Sequence, residues 1–245
     1  MHARTLAVTA LLTAFVSLGA CSSDNTLGLG VAGGTGGDTL SSARVRIANA
    51  TATSFDVASN GVVFAGNAGI GFGLSSNCTP TNALTPGLSV RVAGTLTPVP
   101  GLATSYQSGV SYTVIAYSNA VGTTQFATAA DLFTPLAGQS ALRVFNAGAT
   151  GTSYDVYVTD PGESLAAAAP TFNNVTGGTF TTFANVSAST LRQMRITNAG
   201  FKTLLLDIGS TALIAGQNLT LVIAPPAAGA STLRSFFVTG CNAVA

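Results

Sequence analysis

Arg46-Ile47-Ala48-Asn49-Ala50 returns, with conservative changes, as Arg143-Val144-Phe145-Asn146-Ala147. The same order of echoes continues along the chain. Ser54-Phe55-Asp56-Val57 returns as Ser153-Tyr154-Asp155-Val156. Val90-Arg91-Val92 is echoed by Met194-Arg195-Ile196, and Gly109–Ala116 by Gly216–Ala224. The offset between copies grows from 97 to 107 residues, as loop insertions would make it. A chain that repeats at this period is built from two copies of one structural unit.

Each copy reads as strands and turns. Val45 and Ile47 alternate with Arg44, Arg46 and Ala48, a period of two. Phe55 and Val57 flank Asp56, and Leu88, Val90 and Val92 alternate with Ser89 and Arg91. Val110–Tyr117 is a run of β-branched and aromatic residues. Gly, Pro, Asn and Ser cluster between the runs, where turns need them. Only Glu163–Ala169 has helical leanings, and Pro170 limits it to one helical turn or an extended loop. About 100 residues of short, closely spaced strands match a seven-strand sandwich. The expected fold is therefore all-β: two tandem immunoglobulin-like antiparallel β-sandwiches, over 42–139 and 140–245, with one larger merged sandwich as the alternative.

The first 41 residues have a different character. Arg4 and His2 precede an apolar stretch from Thr5 to Leu18, and Leu18-Gly19-Ala20-Cys21 closes it. This is the layout of a secretory signal over 1–20, too short to cross a bilayer comfortably. A Cys directly after Leu-Gly-Ala resembles a bacterial lipobox, which implies cleavage before Cys21 and lipidation of its thiol. Ser22 rather than Asp after that Cys implies the outer membrane. Residues 21–41, rich in Gly and without aromatics, read as the acylated Cys and a flexible tether.

Composition narrows the functional classes. Arg4 is the leader's only basic side chain, so the chain from Cys21 onward carries eight basic and eight acidic residues and balances to zero. It has no basic cluster, which argues against nucleic acid as a partner. The one His is His2, so a His-based nucleophile or general base is not available after cleavage, and no zinc set can be assembled. No cofactor and no metal are expected. With Cys21 taken by lipid, Cys78 and Cys241 are left as an even pair in an exported chain, and we expect them to form a disulfide.

Six of the sixteen charges fall at echoed places: Arg46, Asp56 and Arg91 in the first copy, Arg143, Asp155 and Arg195 in the second. They are read either as a polar ligand groove on one sheet face or as cross-strand ion pairs that fix strand register. Asp160-Pro161-Gly162-Glu163 supplies too few oxygens for calcium and reads as a Pro-Gly turn. Gly69-Ile70-Gly71-Phe72-Gly73 has no following Lys and is a turn or strand edge, not a phosphate cradle. Phe180, Phe183, Phe236 and Phe237 read as core or inter-module packing.

Leu142–Ala147, Tyr154-Asp155-Val156-Tyr157-Val158 and Ala215–Val222 resemble the domain-of-unknown-function family numbered 4397. That resemblance implies an immunoglobulin-like sandwich in an exported bacterial protein, and no activity. Together these readings lead to the expectation of a non-enzymatic envelope lipoprotein. Its partners would be the membrane, through the lipid, and a protein or polysaccharide ligand. A periplasmic assembly subunit is the second expectation, and a carboxylate-based hydrolase the third.

Overall fold

A computed structural model of the protein describes residues 42–188 and 191–241. The leader, Cys21 and the tether lie outside the described residues. The fold is all-β, and among the described residues no helix is long and apolar enough to cross a membrane. The stretch Glu163–Ala169 forms turns and open chain. Pro170 disfavours a helical backbone at the residue before it.

The first module contains β1 (Ser42–Asn49), β2 (Phe55–Ser59), β3 (Val62–Val63), β4 (Thr79–Asn82), β5 (Leu88–Val92), β6 (Ser111–Ser118) and β7 (Thr124–Ala130). They form a β4-β1-β6-β7 sheet and a β3-β2-β5 sheet. The second module contains β8 (Gln139–Asn146), β9 (Ser153–Thr159), β10 (Phe172–Thr176), β11 (Ala184–Ser187), β12 (Leu191–Asn198), β13 (Leu204–Ala212), β14 (Asn218–Ala224) and β15 (Arg234–Thr239). Its sheets are β11-β8-β14-β15 and β10-β9-β12-β13. No described ladder joins strands of different modules.

Two details differ from an all-antiparallel seven-strand unit. In each module the first strand runs parallel to the strand that follows the long central connection, β1 with β6 and β8 with β14. The second module also has an eighth strand, β13. Its place in the first module is taken by Thr97–Val99, which makes a single bridge, Arg91 with Pro98. Pro98 has no N–H to give a ladder, and Pro100 follows at once, so no strand propagates there.

Side-chain alternation builds three apolar layers. Val45 and Ile47 of β1, Val57 of β2 and Val114 of β6 face the core of the first module. Leu142 and Val144 of β8, Val156 of β9 and Leu221 of β14 face that of the second. The residues in between face the other way. Ala48, Ile115, Phe145 and Val222 form a third cluster, which lies between the β4-β1-β6-β7 sheet and the β11-β8-β14-β15 sheet. The sandwiches therefore stack sheet on sheet in four layers, and residues 42–241 are parts of one compact unit. β8 and β14 are consequently buried on both faces over nearly their whole length. Each module offers the same face to the other, since Ala48 matches Phe145 in the echo and Ile115 matches Val222.

Candidate functional site

The two echoed aspartates hold turns. Asp56 accepts the N–H of Gly69 through Oδ1 at 2.7 Å and that of Gly94 through Oδ2 at 2.9 Å. Asp155 repeats this, accepting from Asn174 at 2.7 Å and Gly200 at 2.8 Å. All four donors have left-handed backbone, with φ of 61° at Gly69, 73° at Gly94, 49° at Asn174 and 77° at Gly200. Residues in that region turn their N–H groups out of the ladder, and a carboxylate collects them. The two backbone N–H groups hold the Asp56 carboxyl below the usual carboxylate range, Gly69 first.

The geometry places the six charges in different surroundings. Asp56 lies opposite Arg91 in the β2–β5 ladder; the two are not within ion-pair distance, though the Arg91 charge adds to the pull on the carboxyl. The carboxylate is committed to the turns, and Arg91 makes only a long 3.5 Å contact to the carbonyl of Gly61. Asp155 lies opposite Thr197, while Arg195 lies opposite Tyr157 and donates to Thr159 Oγ1 at 2.7 Å. Gly94 follows Arg91 by the same three residues by which Gly200 follows Thr197. The structural counterpart of Arg91 is thus Thr197, and the Arg195 echo is two residues out of register. The six do not gather on a single sheet face. Asp56 and Arg91 sit on one outer sheet, Asp155 and Arg195 on the other, and Arg46 and Arg143 between the two inner sheets.

Arg143 binds, and Arg46 is influenced by, a carboxylate the echo does not contain. Asp131 follows β7 and is 1% exposed; Arg143 is 2% exposed. Arg143 Nη2 donates to Asp131 Oδ1 at 2.6 Å, Nη1 to the carbonyl of Ala130 at 2.8 Å, and Nε to Thr220 Oγ1 at 2.9 Å. Its guanidinium lies 4.8 Å from the Phe180 ring centre and 4.5 Å from that of Phe183. Thr113 Oγ1 is 3.0 Å from both Asp131 oxygens, and the Cys241 N–H is 3.4 Å from Oδ2. Arg46 donates to the carbonyl of Thr239 across the interface. Burial pushes the Asp131 carboxyl up, and Arg143, Thr113 and Cys241 pull it back. Burial likewise lowers Arg46, with Asp131 opposing.

The echo missed Asp131 for a physical reason. Asp131 N–H bonds to the Ser111 carbonyl, and Gly240 N–H bonds to the Asn218 carbonyl, at the same place after β15. Gly240 is therefore the counterpart of Asp131. A Cβ at Gly240 would stand 3.3 Å from Asp131 Oδ2, so one copy keeps the carboxylate and the other makes room for it. Arg143 pairs with Asp131 across the two matching faces, and the Asp131 charge also acts on Arg46.

The disulfide joins the same interface. Cys78 and Cys241 are bonded, with Cα atoms 5.6 Å apart, and tie the first module to the end of the second. Asn49 and Asn146, identical in both echoes, were the other unrecognised pair. Asn49 donates to the carbonyls of Thr53 and Ile70, and Asn146 to that of Val175 at 2.9 Å. Each locks the turn after the first strand to the edge of the partner sheet.

The remaining motifs are placed as packing. Asp160 pairs with Arg192, and its N–H contacts Glu163, within a Pro-Gly turn. Phe72 of the Gly-rich segment packs edge-on against Phe236 at 5.4 Å, and Phe180 lies 4.5 Å from Phe145. Phe183 packs on Phe133, and Phe237 packs on the second core. Among the described residues no group of three His, Cys, Asp or Glu side chains could hold a metal ion. Among the described residues, hollows open on the first module. One, of about 380 Å³, lies beside Cys78 and is lined by Phe64, Asn67, Asn77, Thr79 and Pro80. The other, of about 240 Å³, is lined by Ser42, Arg44, Gly109, Val110 and Ser111. No protein-family model matches this chain, and no curated protein matches it closely enough to be a relative.

Proposed function

We propose that the protein is a non-catalytic, lipid-anchored cell-envelope protein whose paired sandwiches serve binding or adhesion, with a protein or polysaccharide as ligand. The observation that carries this reading is the use made of the echoed charges. Asp56 and Asp155 brace turns, and Arg46 and Arg143, with Asp131, brace one module on the other. The ionisable groups at these places thus serve a stiff scaffold, which is what a presenting module needs. The hollow beside Cys78, with an exposed Phe64 ring and the amides of Asn67 and Asn77, is the contact surface we assign to the ligand. The lipobox-like Leu18–Cys21 supplies the anchor, and the resemblance to family 4397 fits an exported sandwich of this kind.

The second reading, a periplasmic assembly subunit, rests on the same stiffness. Protease shaving of intact cells separates them. Digestion of the modules on intact cells supports outward binding. Protection until the outer membrane is opened contradicts it and favours the assembly role.

A further inference from the structure

We infer that the lower edge of the β4-β1-β6-β7 sheet is a membrane seat, with Arg44 taking a lipid headgroup phosphate between two leucines that touch the acyl boundary. This rests on the lipid-anchored reading and adds an orientation to it.

The strands of this sheet end on a common rim. β1 starts at Ser42, and β6, parallel to it, starts at Ser111 beside Arg44. β4 runs the other way and ends at Asn82, opposite Ser42. β7 ends at Ala130, opposite Tyr112. One rim of the sheet therefore carries, in order, the chain after β4, the starts of β1 and β6, and the chain after β7. Leu84 stands just past one end and is 75% exposed; Leu132 stands just past the other and is 62% exposed. The 240 Å³ hollow opens between them, with Arg44 as its cation. Arg44 is exposed and has no ion pair among the described residues. Two flanking leucines and a central guanidinium match the cross-section of a bilayer surface, phosphate above and acyl chain below.

The occupant follows from chain length and charge. Twenty residues separate Cys21 from Ser42, and Ser42 is itself part of this rim. A Gly-rich tether of that length has a root-mean-square reach of about 25 Å. The rim is the part of the described chain closest in sequence to the acyl chains. Read as a tether, twenty residues would hold the rim at high effective concentration near headgroups, so a single phosphate contact and two leucines suffice to seat it. The carboxylates of the second module's Pro-Gly turn, Asp160 and Glu163, do not line this hollow.

Neutron reflectometry tests the seat on full-length acylated protein in a supported bilayer of phosphatidylethanolamine and phosphatidylglycerol. Mass spectrometry of the same sample first checks acyl chains on Cys21. The expected profile has protein density directly on the headgroups. A combined Arg44→Glu, Leu84→Ser and Leu132→Ser variant is expected to open a water layer on the order of 10–20 Å, within tether reach. The three side chains are exposed, so an unchanged melting temperature shows the variant folded. A control change of Leu96→Ser and Val121→Ser, in turns away from this rim, is expected to leave the profile as it was. A water layer already present in the unaltered protein overturns the seat and leaves the anchor standing. An unmodified Cys21 overturns the anchor, and the seat with it.

Discussion

Replacing Arg143 with Met tests the inter-module lock most sharply. Met retains much of the aliphatic volume between Phe180 and Phe183 but removes the three polar bonds to Asp131, Ala130 and Thr220. Asp131 would keep Thr113 and the Cys241 N–H, with Arg46 nearby, yet lose its direct counter-charge at 1% exposure. Breaking a buried pair from one side costs about 3–5 kcal/mol, because the remaining charge is uncompensated. For a chain of this size each kcal/mol moves the midpoint by roughly 2–4 °C, so a drop of about 6–20 °C is expected by calorimetry at pH 7. The pH dependence has a definite sign. Without Arg143, burial alone dominates and raises the folded Asp131 pKa further above its unfolded value. The deficit should therefore shrink as pH falls and Asp131 becomes protonated in the folded state. Adding Asp131→Asn to Arg143→Met should likewise recover part of the loss. A single variant within about 1 kcal/mol of the parent, with no pH dependence, would refute the reasoning, since an exposed pair behaves that way.

Other outcomes follow from the same geometry. Asp155→Ala removes a largely buried acceptor from two left-handed turn N–H groups and should cost about 1–3 kcal/mol, with faster amide exchange at Gly200; Asp56→Ala, whose bonds are exposed to water, should cost less, about 0.5–1.5 kcal/mol, with faster exchange at Gly94. Because Asp56 is held below its ordinary value, its contribution is present above the unfolded carboxylate pKa and is lost as pH falls through the folded one; acid titration of Asp56→Ala against the parent should show the curves converging. Reduction of Cys78–Cys241, which spans 163 residues, should lower stability by up to about 5 kcal/mol in denaturant melts; no change on reduction would show the modules are held without it. Tyr106 is buried, its hydroxyl has no hydrogen-bond partner among the described residues, and burial pushes its pKa up to about 12. Tyr106→Phe should therefore be neutral or stabilising in thermal melts, and a loss above about 1 kcal/mol would mean the hydroxyl has a partner.

Much of the fold is legible in the sequence because strand alternation and repeated turns are local signals. The echoes of β1 with β8 and of β6 with β14 align residue for residue in the two parallel pairings. The four-layer stack was also written there, in a form easy to pass over. Val-Ser-Tyr-Thr-Val-Ile-Ala-Tyr and Leu-Thr-Leu-Val-Ile-Ala are apolar at nearly every position, which is the mark of strands covered on both faces. The site was less legible. Asp56 and Asp155 were found by their echo, but a carboxylate in a poorly charged chain suggests an ionic partner, and the true partners are backbone N–H groups that carry no residue identity. Asp131 has glycine as its counterpart, so a search for repeated charges passes over it. Asn49 and Asn146 were identical in both copies, and a buried Asn that repeats after a strand is a signal for a turn lock. The Arg91–Arg195 misalignment has the same root: a matching Arg between apolar neighbours outweighed the Gly94–Gly200 turn, which fixes the register.

The account rests on a chain that is anchored through Cys21 and presents its sandwiches from a membrane. The most direct test is the mass of the amino-terminal peptide of the protein isolated from the membrane fraction of its own cells. The account predicts a peptide beginning at Cys21, carrying acyl chains and lacking residues 1–20. A peptide that begins elsewhere, or a Cys21 thiol without lipid, would contradict it.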